Sequence, residues 1–396
     1  MTQKNILTKN NIPKNCLDKK IARKLSQNFN KIFNRIIDDT NCAKETLNLL
    51  NNNFKFNLNL KDLNRFKKFK TLVFIGMGGS ILGAKAMRGF LKEKINKNIY
   101  FFDNLDSRKN LIFLKKNKMN KILYVVISKS GNTIETLSNF LSINIIKKNQ
   151  KNVIVISEKK DNALFLISKK FNLFYVEHKS YISGRYSVLS EVGIIPAYLM
   201  GLNIFKLRKN LNTFLKGKSK LFLKDSALIL SNLLLKKKYN NLIFLNYIPE
   251  LENFLYWCQQ LIAESLGKKK KGFLPIISNA PKDHHSLLQL YLDGPQDKIF
   301  YIFSLRESIK NKIKVKNIAK KIEFLNNKTL DEIKIAQKKG LIYTLKQSCI
   351  PYREFEIKSI NEEALGELFS YFIYETVIIG KLTKVDPYNQ PAVERF

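Results

Sequence analysis

The residues best suited to chemistry sit in one short stretch, Ser128-Lys129-Ser130-Gly131-Asn132-Thr133, with Thr136 one helical turn further on. The stretch follows the apolar run LYVVI and opens a helical pattern. Hydroxyls, amides and a single Lys gathered at a helix N-terminus suit a phosphate monoester, which wants many short donors and a favourable dipole. A nucleotide triphosphate would need more cation, and no obvious Mg²⁺ ligand accompanies the loop. The plain alternative is a Ser/Thr helix cap with no ligand. A second loop, Gly76-Met77-Gly78-Gly79-Ser80, also joins a strand-like run to a helical one. It is neither G-x-G-x-x-G, since Ile81 stands where Gly is needed, nor a P-loop, since Ala84 stands where Lys is needed. It reads either as a place where the backbone at Gly79 and Ser80 approaches an anion closely, or as a tight turn.

Elements of two kinds must hold these loops. Apolar runs such as TLVFIG, NIYFF, LYVVI and NVIVIS alternate with amphipathic stretches such as ILGAKAMRGFLKEKI and IETLSNFLSINIIKK. That alternation predicts βαβ units and a parallel sheet. It restarts after about residue 205 with NLIFLNYIP, the helical ELENFLYWCQQLIAESLG, and KIFYIFSL. Residues 1–55 read as a polar helical arm, 56–205 as a first α/β domain carrying the phosphate loop, and 206–396 as a second with a helical C-terminal tail. Each domain is expected to be an αβα sandwich.

The composition sets limits. Seventy Lys+Arg against thirty-two Asp+Glu give a net charge of +38, with 45% hydrophobic residues and 11% aromatic over 396 residues. Such a chain can bury a core, which excludes a disordered, collagen-like or disulfide-stapled class. The charge invites a nucleic-acid reading, and NRFKKFK (64–70) and GKKKKG (267–272) support it. Yet lysines are spread along the whole chain beside abundant Asn, Ile and Phe, and no nucleic-acid motif accompanies them; we expect no specific nucleic-acid role. Four scattered cysteines and three histidines make no zinc pattern and fit a reduced, cytoplasmic protein. No apolar run is long enough to span a membrane, since Glu191 and Glu375 interrupt the best two. No membrane partner is expected.

The loop VVISKSGNTIET resembles the phosphate loop of sugar isomerase (SIS) domains, S-K-T-G-T-T-x-E-T. Four further blocks resemble the phosphoglucose isomerase family in order: SGRYSVLSEVGIIPAYLMG, QQLIAESLGK, KDHHSLLQLYLDGP and DPYNQPAVE. The blocks run from about residue 73 to the chain end; residues 1–60 carry no match. The resemblance implies two tandem SIS-type domains and reversible aldose–ketose isomerisation of glucose 6-phosphate and fructose 6-phosphate through a cis-enediol(ate). It implies no metal or redox cofactor.

Residue by residue, it implies that Glu264 is the base that shuttles the proton between C2 and C1, a task for a carboxylate tuned by burial. Spacing alone would make Glu264 a solvent-facing helix residue. Arg185 would stabilise the developing enediolate with a fixed guanidinium. His285 would open the sugar ring, reaching in from a neighbouring subunit, so a homodimer is expected. Gln260, one turn before Glu264 on the same helix face, would contact substrate. Gly79, Ser80, Ser128, Lys129, Ser130, Thr133 and Thr136 would bind it too. His284 is out of register, and His178 reads as structural.

Ser130, Asn132, Ser183 and Ala392 depart from the family pattern without removing an essential group. The family block continues V-E-x-x-K, whereas this sequence ends Val393-Glu394-Arg395-Phe396. The expectation is weak ring opening, raised by an appended Lys. Two other readings are a non-catalytic SIS-type sugar-phosphate sensor and an isomerase that also takes mannose 6-phosphate.

Overall fold

The computed structural model describes residues 5–307, 309–315 and 320–393. Two five-stranded sheets organise the chain. Strand β1 (Ile6–Asn11) and helix α1 (Lys19–Asn41) come first. The first sheet then follows as β2 (Thr71–Gly76), β3 (Asn98–Phe102), β4 (Ile122–Ile127), β5 (Val153–Ser157) and β6 (Phe174–Glu177). Between these strands lie α2 (Leu82–Phe90), α3 (Ser107–Lys116), α4 (Ile134–Ser142) and α5 (Ala163–Lys170). All pairings are parallel, in the order β3-β2-β4-β5-β6. Every residue of β4 and β5 is buried, as β-branched runs covered by helices on both faces must be.

Helices α6 (Glu191–Met200), α7 (Ile204–Arg208) and α8 (Gly217–Lys236) lead to the second sheet. Its strands are β7 (Asn241–Asn246), β8 (Leu274–Asn279), β9 (Lys298–Leu305) and β10 (Tyr352–Ile357). Helices α9 (Glu252–Leu266), α10 (Leu288–Asp293) and α11 (Leu330–Gln347) intervene, and α12 (Glu362–Leu382) follows. The sheet order is β1-β10-β9-β7-β8. Only β1 is antiparallel, with Ile6 opposite Ile357 and Asn11 opposite Tyr352. The helical reading of the N-terminal arm therefore holds for α1 and fails for Ile6–Asn11. That stretch supplies an edge strand whose partner lies near the other end of the chain, a pairing that no local pattern reveals.

The units meet where α2 of the first packs on α9 of the second. Helix α12 is buried on nearly every face. Glu375, which breaks its apolar run, is 1% exposed and paired with the equally buried Arg353 at 2.8 Å. The Tyr371 hydroxyl donates to the same carboxylate at 2.7 Å. A buried charge is tolerable when it is paired and hydrogen-bonded in this way.

Candidate active site

In the first sheet the connection after β2 runs to one side, to β3, and the connection after β4 runs to the other, to β5. Diverging loops at the carboxyl ends of two adjacent parallel strands open a crevice, the usual ligand position in such sheets. Gly76 pairs with Ile127 in register, so both loops singled out above leave the sheet side by side at this point.

The serine loop is folded on its own hydroxyls. Ser128 Oγ accepts from the Gly131 N–H at 3.1 Å and lies 2.9 Å from Thr133 Oγ1. Ser130 Oγ lies 3.4 Å from Thr133 Oγ1 and accepts from the Asn132 N–H at 3.3 Å. Gly131 has φ +71° and backs onto the Asn162 side chain, where any Cβ would collide. Asn132 Oδ1 accepts from the Ala163 N–H, tying the loop to α5. Lys129 faces Glu158 at 3.6 Å. Burial lowers its pKa, and the Glu158 charge works against that shift. Behind it, His178 is 2% exposed and its pKa is pushed down to about 4, chiefly by burial. Thr136 Oγ1 is buried and has no hydrogen-bond partner among the described residues.

The glycine loop joins this crevice to the second unit. A Cβ on Gly79 would stand 2.3 Å from the carbonyl carbon and oxygen of Gly184 and 2.6 Å from the Arg185 nitrogen. Only glycine lets the loop lie flat against that backbone. A Cβ on Gly78 would come within 2.9 Å of Gln260 Nε2. Ser80 follows in the same turn, its Cβ 3.3 Å from the position a Gly76 Cβ would take.

Arg185 is the fixed point. Its side chain is wholly buried, an unusual place for a guanidinium unless every donor is used. Nε donates to Ser265 Oγ at 2.8 Å, and Nη2 donates to the carbonyls of Pro387 at 2.6 Å and Asn389 at 2.9 Å. Nη1 donates to Glu264 Oε1 at 2.8 Å, Gln390 Oε1 at 3.1 Å and Ser183 Oγ at 3.3 Å. The Arg185 carbonyl accepts from Trp257 Nε1 at 3.1 Å. Tyr186, its hydroxyl raised to about 12 by burial, shares Ser265 and the Pro387 carbonyl.

Glu264 lies near the end of α9, its side chain 20% exposed. Gln260, one turn earlier, donates from Nε2 to Glu264 Oε2 at 3.0 Å. Gln260 Oε1 is buried and unpartnered among the described residues. Glu264 opens on a cleft of about 810 Å³, lined also by Lys268, Asp386, Asn389, Gln390 and Val393. An unpartnered Gln260 oxygen beside a partly exposed carboxylate is what a polyhydroxylated ligand could satisfy.

His285 stands outside this cluster. It is exposed in the turn after β8 and makes no side-chain hydrogen bond among the described residues. Its neighbour His284 pairs through Nε2 with the Tyr247 hydroxyl at 2.9 Å. The expectation about a terminal Lys concerns residues 394–396 and the position after them, which lie outside the described residues. Sequence reading passes over Ser265 and Gln390, and it gives Lys268, the last residue of QQLIAESLGK, no role of its own. Ser265 and Gln390 stand inside two of the quoted blocks, and that is the available signal.

The chain resembles known proteins in sequence and in fold. The Phosphoglucose isomerase family model matches residues 59–273. A glucose-6-phosphate isomerase of Methanocaldococcus jannaschii is 33% identical over 352 residues, covering 84% of this chain and 85% of that protein. One from Campylobacter jejuni is 31% identical, covering 82% and 83%. Among solved structures, a hypothetical protein of Thermus thermophilus superposes with TM-score 0.82 at 23% identity, covering 96% of this chain and 97% of that one. A glucose-6-phosphate isomerase from Chlamydia trachomatis does so with TM-score 0.75 at 15% identity, covering 99% and 86%. The two-unit fold recurs in both. With five sequence blocks in order, a family model across more than half its length and relatives above 30% identity matched over more than four fifths of both chains, the chain belongs to the phosphoglucose isomerase family.

Proposed function

We propose that the protein interconverts glucose 6-phosphate and fructose 6-phosphate. The observation that carries the reading is the Arg185–Glu264 pair, one partner immobilised by six hydrogen bonds and the other open to a cleft. The serine loop takes the phosphate through the hydroxyls of Ser128, Ser130 and Thr133 and the N–H groups at the start of α4, with Lys129 as the nearby cation. Gly79 and Ser80, in the adjoining glycine loop, take part in binding the substrate. In the open-chain sugar, the Glu264 carboxylate accepts the C2 proton and returns it to C1 as the oxygens exchange carbonyl and hydroxyl character. Arg185, its donors already committed, stabilises the enediolate through its fixed positive charge and needs no rearrangement to do so. Gln260 holds Glu264 by donating from Nε2 to the Glu264 Oε2, and its own Oε1 is offered to a substrate hydroxyl.

His285 belongs to this reading as the ring-opening group of a second copy of the chain, because it is exposed and far from self-satisfied. The working form is then a homodimer with shared sites. Four free cysteines suit the cytoplasm, where these sugar phosphates are processed in glycolysis and gluconeogenesis. We keep the functional units as 56–205 and 206–396, with the first 55 residues split between α1 and the edge of the second sheet. None of the described helices is long and apolar enough to cross a membrane.

The test supplies fructose 6-phosphate and follows glucose 6-phosphate with a coupled dehydrogenase. Glu264→Gln should lose about 10²–10⁴-fold in kcat while still binding fructose 6-phosphate. Retained turnover would refute Glu264 as the base. Binding with no turnover by the unaltered chain would favour a sensor.

A further inference from the structure

The run Lys268–Lys271 carries dense positive charge, and the site as described does not use it. Three of its four ammonium groups are nevertheless committed. Lys268 Nζ donates to the Asp386 carbonyl at 2.6 Å and to the Ser265 carbonyl at 3.1 Å. Lys269 Nζ donates to the Lys384 carbonyl and Lys271 Nζ to the Thr383 carbonyl, each at 3.1 Å. Three acceptors therefore lie on one short stretch, just beyond the end of α12.

That stretch leaves the helix in a set direction. The Val385 N–H returns to the Gly380 carbonyl at 2.8 Å, and Lys384 takes the left-handed conformation at φ +58°. This is a helix stop in which orphan carbonyls are satisfied by the chain turning back. Cations there also complement the negative end of the helix dipole. A few residues on, the same segment presents the Pro387 and Asn389 carbonyls and Gln390 Oε1 to Arg185. Lys268 and Gln390 line the same cleft as Glu264. Burial and the neighbouring Arg185 charge lower the Lys268 pKa to about 8, with Asp386 and Glu264 pulling the other way.

We propose that Lys268, Lys269 and Lys271 form a positioning clasp. They fix residues 383–390 so that the segment's carbonyls hold the Arg185 guanidinium against Glu264. The inference rests on the site reading above. The clasp touches no substrate; it acts through Arg185. An ammonium suits the role because it is compact and directs three donors freely, whereas a guanidinium would need a planar fork of acceptors.

The test uses the full chain with Lys268→Met and the Lys268→Met/Lys271→Met pair, beside Lys268→Arg and Glu264→Gln. Methionine keeps the unbranched stem and removes the donors. The expected result is about a tenfold or greater fall in kcat for the pair, since a small misplacement at a distance can cost that much. The fall should appear chiefly in kcat rather than in KM for fructose 6-phosphate, because the phosphate-binding serine loop is untouched. Amide hydrogen exchange across 384–393 should rise, and Lys268→Arg should recover part of kcat. Should the pair fail to fold, the single Lys268→Met carries the same comparison. Unchanged kcat and unchanged exchange, with Glu264→Gln inactive, would overturn the clasp. An active Glu264→Gln would instead overturn the site reading.

Discussion

Arg185 donates to Glu264 across 2.8 Å, although the two residues lie 79 apart in the sequence. The guanidinium has spent its other donors on Ser265, Ser183, Gln390 and two carbonyls, so its plane is fixed before substrate arrives. A lysine has three donors from one atom and cannot span these acceptors. Arg185→Lys should lower kcat by about 10²–10³-fold, the scale of losing one preorganised electrostatic donor. Steady-state kinetics on fructose 6-phosphate check it; a loss below tenfold would mean the fork geometry is unimportant.

Gly79→Ala tests the close approach of the glycine loop to Gly184 and Arg185. Its Cβ meets backbone rather than a movable side-chain end. The variant should lose about 1–3 kcal/mol of stability from overpacking. Activity should fall further than stability, because the displaced backbone belongs to Arg185. Thermal melts and turnover measured on the same preparation separate the two.

Thr136 offers a hydroxyl with no partner among the described residues. Thr136→Val keeps the shape and removes the oxygen. Stability should hold or rise slightly, since a buried unpaired hydroxyl is costly. If the hydroxyl serves the phosphate, KM should rise several-fold with Tm unchanged or higher. An unaltered KM would remove Thr136 from the binding set.

His178 makes an acid-sensitive element behind the serine loop. Its folded pKa, about 4, is below the ordinary 6.5, so the unfolded chain takes up the proton first as pH falls. Stability is therefore intact above about pH 6.5 and declines through the window down to about pH 4. The total loss is about 3 kcal/mol for this one group. Lys129 and Lys179 oppose its cation and Glu158 favours it. Denaturant melts at pH 7 and pH 4 should show the decline, and His178→Gln should flatten this part of it.

Shared sites can be tested by mixing. Glu264→Gln and His285→Ala should each be inactive on the cyclic sugar. Subunit exchange between them should restore about a quarter of wild-type turnover, because half the dimers are mixed and each has one intact site. No recovery, with exchange verified by mass, would place His285 outside the site.

Much of this is legible in the sequence. The parallel sheet of the first unit follows from β-branched runs such as those of β4 and β5, and the serine loop from its hydroxyls at a helix start. Contacts between distant segments are not. Nothing local to Ile6–Asn11 tells of its pairing with β10. Nothing in GKKKKG reveals that its lysines end on the carbonyls of Thr383, Lys384 and Asp386. Four lysines in a row look the same whether they meet water or a backbone carbonyl. Gln390 can be quoted from its block, but its bond to Arg185 exists only once the Gly184–Leu189 turn and the segment after α12 have been brought together.

The β1–β10 pairing bears on the order in which the molecule can be made. During synthesis the strands of the first sheet emerge within about a hundred residues of one another, and that sheet can close while the rest is still unmade. The second sheet cannot. Its edge strand is the first to appear and must wait for β10, one of the last elements, before its ladder has anything to pair with. Until then Ile6–Asn11 is a strand without its partner, and its mostly polar sequence, ILTKNN, keeps that interval from becoming sticky.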